Sequence, residues 1–477
     1  MYTINMDDKE QGMPPVLLQE ILAANKIYGK ILLEKDIAVL CVNKTTKKER
    51  WLSFKALYDN NQSFWLHNGA WEFFLAAKEI ALLKELALAP GASWSKDYQT
   101  GDGQPVTAST TPQDTGDKAG GFGSEYEAIA AMSEEKQIEL ITEDTKRLDD
   151  LLGQKRVQKE EKITALVDST RNAALVNQIT LMDAMNMADD AAKMYTLNLV
   201  DTTAALISSS TQLVSRDIFN DDLMNTLVAK SNGTIIQHMT RTFLNGVAFL
   251  AYYNELVSGT SIVNKLRISF NKYRPFYSAL LPHIEPEKLS LERVFLEGMC
   301  VITKANFQNW AAGFLIHDIG KASMVEYHEG EAAYNRDIVV EHVKLGYSSV
   351  MNKTHYPREA GLITGYHHEY YGDSGGYGYF RSYLEQYRKA NPVAKQDYCI
   401  SYELEPVLDY RVLSYFPAKI LEIIDIYDSV TDPNRKYRKA LTPEEALVMI
   451  REEFIEKHRK IDPLLFEIFT AFVQKSV

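Results

Sequence analysis

Ala312-Gly313-Phe314-Leu315-Ile316-His317-Asp318-Ile319-Gly320-Lys321 runs an apolar helical stretch directly into a histidine and an aspartate. A carboxylate placed there is expensive to bury unless a cation or a strong hydrogen-bond donor meets it. Successive helical residues point about 100° apart, so His317 can serve one ion while Asp318 bridges to another. Around this stretch the chain sets out an ordered series: His238, the His317-Asp318 pair, His342, the doublet His367-His368, and Asp425. The series uses five of the ten histidines. Imidazole nitrogens together with carboxylate oxygens suit borderline divalent ions such as iron or manganese, and a shared carboxylate can hold two of them close together.

Each member has a local setting. His238 lies in a helical pattern whose wide apolar face includes Ile235, Ile236, Met239, Phe243 and Val247. His342 precedes Gly346 by four residues, and a glycine inside a helix costs about 1 kcal/mol relative to alanine, so close approach of a neighbouring helix is expected there. His367-His368-Glu369 sits at a helix end before a glycine-rich loop. Asp425 interrupts the apolar segment Ile420 to Tyr427, where a carboxylate needs a partner. Asp428, one turn on, is read as a helix-terminal or supporting carboxylate. Lys321 follows His317 by one turn, placing an ammonium beside the same face.

Taken together, His317-Asp318-Ile319-Gly320-Lys321, then His367-His368-Glu369 and a glycine-tyrosine loop, resemble an HD-GYP domain of the HD superfamily of helical phosphohydrolases. The resemblance begins near Asn198 and runs to the C-terminus. It implies an all-α catalytic domain that hydrolyses a cyclic dinucleotide, chiefly cyclic di-GMP, in bacterial signalling. By the same resemblance, His238, His317, Asp318, His342, His367, His368 and Asp425 are metal ligands for two divalent ions, iron or manganese. Asp318 and Lys321 are the catalytic residues, and Arg435, Arg438 and Lys321 bind substrate. Guanidinium groups suit phosphate because their fork matches its oxygens. Two other readings stay open: an HD-type hydrolase of another nucleotide or phosphate ester, and a non-catalytic module that senses a nucleotide or engages a partner.

Three departures from the family pattern are visible. Thr234 stands where relatives with a third metal carry glutamate, so two ions are expected. The run His368-Glu369-Tyr370-Tyr371-Gly372-Asp373-Ser374-Gly375-Gly376-Tyr377-Gly378 has an additional residue before the turn, and glycine where proline is expected. Proline stiffens such a loop, and Gly378 is expected to loosen it. Inserts separate His238 from His317 by 79 residues and His368 from Asp425 by 57. The second insert is rich in rings, among them Tyr379, Phe380, Tyr383, Tyr387, Tyr398 and Tyr402, which suit either a lid over a nucleobase or a core of their own.

With 477 residues the chain exceeds one ordinary core. Residues 1–89 form a small α/β module, with strands expected within 31–42 and 51–54 and an amphipathic helical run ending near Leu88. Residues 90–124 are rich in Pro, Gly, Ser and Thr and read as a flexible linker. Residues 125–197 are helical in period. They make either a stalk through which two copies pair as a homodimer or a layer packed on the catalytic domain, residues 198–477. Thr442-Pro443-Glu444-Glu445 and Asp462-Pro463 are helix starts. The net charge of −12 argues against coating long nucleic acid, yet bound cations could still make one pocket attract an anionic substrate. No stretch reaches the roughly eighteen apolar residues of a membrane span, the N-terminus lacks a signal-peptide layout, and the three cysteines are scattered, so a cytoplasmic location is expected.

Overall fold

The computed structural model describes residues 16–17, 38–43, 49–53, 71–75, 128–154, 157–185, 187–215, 235–322, 336–371, 376–379, 397–408, 411–433 and 439–475. The chain divides into two compact units, Met1–Lys118 and Ala119–Val477. The linker expected at 90–124 lies outside the described residues.

In the first unit, β1 (Val16–Leu17), β2 (Ala38–Asn43), β3 (Glu49–Ser53) and β4 (Trp71–Leu75) form one sheet in the order β1-β4-β2-β3. Strands β2 and β3 pair antiparallel, with Val39 opposite Leu52 and Leu40 opposite Trp51. Strand β4 adds to the pair expected from the sequence, and the helical run expected to end near Leu88 is outside the described residues beyond Leu75. The Trp-Glu-Phe-Phe-Leu composition of β4 favours a strand, and in the register with β2 Phe73 stands opposite Cys41 and Phe74 opposite Leu40.

The second unit is mainly helical. Its main helices are α1 (Glu134–Gly153), α2 (Lys159–Met185), α3 (Asp189–Leu213), α4 (Ile235–Ser258), α5 (Lys304–Ile316), α6 (Ile319–Ala322), α7 (Arg336–Lys353), α8 (Arg358–Tyr366), α9 (Phe416–Thr431), α10 (Pro443–Ile450) and α11 (Pro463–Lys475). Apolar residues spaced by threes and fours, including Ile141, Leu148, Leu166 and Leu175, are buried where α1, α2 and α3 meet. Each such side chain contributes about 1.5–3 kcal/mol on leaving water. Helix α2 packs on α4, and α3 packs on α5 and α7. A buried polar node ties these layers: Asn177 Nδ2 donates to Thr203 Oγ1 at 3.0 Å, and Tyr356 Oη donates to Asn177 Oδ1 at 2.6 Å. Helix α3 runs through residue 198, where the resemblance places the start of the catalytic domain.

An all-α unit is not what forms. β5 (Tyr398–Ser401) and β6 (Val412–Tyr415) make a parallel pair, and Phe295 bridges to Ile400. Both strands are short and largely buried, so their apolar residues carry no alternation that would distinguish strand from helix. Among the rings of the second insert, Tyr402 is core: it stacks on Phe416 at 4.0 Å and shares a 2.7 Å hydrogen bond with Tyr253 Oη. Phe380, Tyr383 and Tyr387 lie outside the described residues.

The helix starts form as their chemistry dictates. Thr442 and Glu445 make a reciprocal capping box, and Asp462 Oδ1 accepts from the amides of Leu464 and Leu465 at 3.0 and 2.9 Å. Glycine sets the distance between α6 and α7. A Cβ on Gly320 would lie 2.0 Å from the His342 carbonyl oxygen, and one on Gly346 would lie 2.6 Å from Thr364 Cγ2. Gly320→Ala is therefore expected to cost about 3 kcal/mol, because the obstructing atom is backbone and cannot turn aside. Urea unfolding reads this directly, and a wild-type midpoint would contradict the contact.

Candidate metal centre

Five elements converge on one buried point. His238 comes from α4, His317 and Asp318 from the end of α5, His342 from α7, His367 and His368 from the end of α8, and Asp425 from α9; all seven side chains are buried. Helix ends leave backbone carbonyls without partners, and two of the histidines use them. His317 Nδ1 lies 2.9 Å from the Phe314 carbonyl and His367 Nδ1 lies 2.8 Å from the Thr364 carbonyl. A carbonyl only accepts, so each Nδ1 carries the proton and each Nε2 presents its lone pair to the cluster.

Asp318 is the common member. Its Oδ1 lies 3.1 Å from His342 Nε2 and 3.5 Å from His367 Nε2, while Oδ2 lies 3.4 Å from His238 Nε2 and 3.7 Å from His317 Nε2. The donor atoms thus fall into two groups, Asp318-His342-His367-His368 and His238-His317-Asp318, each within 4.8 Å throughout. Asp425 spans both, with Oδ1 2.9 Å from His238 Nε2 and Oδ2 3.8 Å from His368 Nε2. Lys321 donates to Asp318 Oδ2.

Several features test whether cations fit. Among the described residues, His317 Nε2 and both ring nitrogens of His368 are buried without a hydrogen-bond partner. His342 Nε2 and His367 Nε2 stand 3.2 Å apart, and two lone pairs at that separation call for a proton or a metal ion between or beside them. Burial holds His317 down to about 3 and His342 down to about 4, and holds His368 well below the ordinary histidine range. Burial pushes Asp318 upward, but Lys321 and the surrounding imidazoles bring it well below the carboxylate range; His238 does the same for Asp425. Neutral imidazoles around ionised carboxylates are the protonation state in which these groups ligate. The donor set fits a pair of divalent ions.

His238 is held differently. Its Nδ1 donates to Asp428 Oδ2 at 2.7 Å, and burial, which pulls it down, is outweighed by Asp425 and Asp428, which push it up to about 9. A cation held at Nε2 would take the place of the proton on that nitrogen and leave the Nδ1 proton donated to Asp428. Asp428 is in turn gripped by Arg241, whose Nε and Nη2 donate to Oδ1 and Oδ2 at 2.7 and 2.9 Å, while Nη2 also reaches Asp432 Oδ2 at 2.8 Å. Sequence reasoning missed Arg241. Its signal was a charge inside a helix that is buried nearly all round. Arg435, Arg438 and Thr234 lie outside the described residues.

The altered loop is tied down where it returns to the centre, contrary to the looseness expected of Gly378. Tyr377 and Gly378 both donate their amides to the His368 carbonyl, at 3.0 and 3.1 Å, and the Tyr379 amide donates to Gly365 at 2.9 Å. A Cβ on Gly378 would lie 2.0 Å from Glu369 Oε2, and a proline would also forfeit the amide. The Tyr377 ring lies on His368 at 4.3 Å.

The chain matches no protein-family model, no curated protein and no solved structure. Among the described residues no helix is long and apolar enough to cross a membrane.

The depressed histidines fix a pH dependence for the metal-free protein. His317, His342 and His368 bind fewer protons folded than unfolded, so stability falls as pH drops from about 6.5 toward 4. His238 acts oppositely: its contribution is complete below about 6.5 and is lost as pH rises through 9. Thermal unfolding of metal-stripped protein is expected to show a lower Tm at pH 5 than at pH 7, and an equal or higher value would contradict the neutral, buried imidazoles.

Proposed function

We propose that this chain is a metal-dependent phosphodiesterase of the HD-GYP type that hydrolyses a cyclic dinucleotide, cyclic di-GMP first, in bacterial second-messenger signalling. The observation that carries this reading is Asp318, one carboxylate common to two groups of buried imidazoles. Two divalent ions, iron or manganese, would be held by His238, His317, Asp318, His342, His367, His368 and Asp425. When bound, they supply Lewis acidity at a phosphoryl oxygen and lower the pKa of water.

The chain's own groups do the rest. Lys321, anchored by Asp318, offers N–H donors to a non-bridging phosphate oxygen and a proton to the departing ribose oxygen. Its side chain is 11 % exposed where Asp318 is fully buried, which puts it on the open side of the pair. Arg435 and Arg438, by their place in the sequence, are assigned to the substrate phosphates. His238 is kept in register by Asp428 and Arg241, so its Nε2 stays aimed between Asp318 and Asp425. A second substrate reading, another nucleotide or phosphate ester, is favoured by one observation. The Gly378 contact with Glu369 gives the loop a path that proline could not follow.

Turnover by purified, manganese-loaded protein is expected with cyclic di-GMP and slower or absent with cyclic GMP-AMP and with nucleoside mono- and polyphosphates. Asp318→Ala is expected to lose both metal and turnover. Lys321→Ala is expected to keep metal, measured by elemental analysis, while its rate falls about a hundredfold or more. Cleavage of none of these substrates by metal-loaded protein would sink the assignment.

A further inference from the structure

Lys419 is almost completely buried on α9, two turns before Asp425, and takes no part in the centre described above. A buried ammonium is costly unless its protons are met. Here they are met by groups of unusual placement. Nζ donates to the Glu369 carbonyl at 3.0 Å, to Glu422 Oε2 at 2.8 Å and to the Lys460 carbonyl at 3.2 Å. It also sits 4.0 Å from the centre of the Tyr371 ring, a cation–π contact. Tyr371 closes the figure by donating its amide to the same Lys460 carbonyl at 2.8 Å.

The partners lie on both sides of the metal centre. Glu369 directly follows the His367-His368 doublet, and Lys419 is rigidly part of the helix that carries Asp425. The cation therefore joins two ligand-bearing segments, meeting the one that carries His367 and His368 at its backbone. Glu422 lies against the same Nζ, but burial pushes its carboxyl up to about 8, and its Oε1, also buried, has no hydrogen-bond partner among the described residues. That orphan oxygen marks the carboxyl as the lesser member of the arrangement, whereas the two carbonyl bonds locate.

We infer that Lys419 is a positioning residue for the metal centre, fixing the span between His367-His368 and Asp425 by fastening the Glu369 carbonyl to α9. This rests on the metal-binding reading above. Outer contacts of this kind commonly govern affinity by about 10–100-fold.

The test uses the full chain, stripped of metal and titrated with Mn²⁺ by electron paramagnetic resonance, with thermal unfolding followed in parallel. Lys419→Met alone leaves the buried Glu422 carboxyl without its donor, so the informative protein is Lys419→Met/Glu422→Met, which removes both groups at similar volume. It is expected to unfold near the wild-type temperature and to bind Mn²⁺ about tenfold or more weakly. Wild-type Mn²⁺ affinity in that folded variant would overturn the inference, since a merely structural lysine is replaceable by any well-packed pair. Should the double variant not fold, Glu422→Gln decides. It keeps the ammonium and its carbonyl bonds, so Mn²⁺ affinity is expected within about threefold of wild type, and a tenfold loss would place the effect in the carboxylate and overturn the inference. Absence of Mn²⁺ binding by the wild-type protein would count against the metal centre itself, a failure separate from this one.

Discussion

A fully buried carboxylate surrounded by imidazoles is the constraint on which the second unit turns. Asp318 cannot be ionised in an apolar interior unless positive charge or hydrogen-bond donors converge on it, and α4, α7 and α8 each bring an imidazole nitrogen to that place while α6 brings the Lys321 ammonium. The glycines follow from the same requirement. Gly320 and Gly346 let α6 and α7 approach within backbone contact, which is what brings His342 to 3.1 Å from Asp318. A Cβ on Gly320 would meet the backbone of α7 at His342 itself, whereas one on Gly346 would meet the Thr364 methyl on α8.

Behind the ligands lies a second ring of charge with its own logic. Arg241 pairs with Asp428 and Asp432 and holds Asp428 where it meets His238. Lys419 donates to Glu422 while binding two carbonyls. Each cation is paired nearly out of reach of solvent, where truncating one partner is costly and the pair as a whole adds little net stability. Such pairs are better at defining a geometry than at holding a fold together.

Much of this arrangement was legible in the chain, and the illegible part has physical causes. The order of His238, His317, Asp318, His342, His367, His368 and Asp425, set among apolar helical runs, named the residues that the structure gathers. Arg241 and Lys419 escaped notice because a charge in a helix reads as solvent-facing by default, and only tertiary packing reveals that its face is buried. Strand Trp71–Leu75 is not singled out by the sequence because an apolar, aromatic stretch with an interposed glutamate satisfies a helical and a strand period about equally over five residues. The parallel strands β5 and β6 were hidden for a related reason, being too short and too buried to alternate. Gly378 shows a different limit. Its freedom as an isolated residue is cancelled by two neighbours, the His368 carbonyl and the Glu369 side chain, that no local rule supplies.

The terminal turns of α5 and α8 end in histidines that bond back to their own last carbonyls. Fraying of a final turn ordinarily costs a helix little, because water replaces the lost bonds. In this chain the same fraying would let the imidazole rotate and change which nitrogen carries its proton, so a routine local fluctuation would erase a donor. Capture of an ion would therefore be one event with closure of two helix termini, and an occupied centre would act as a clasp on the ends of the bundle.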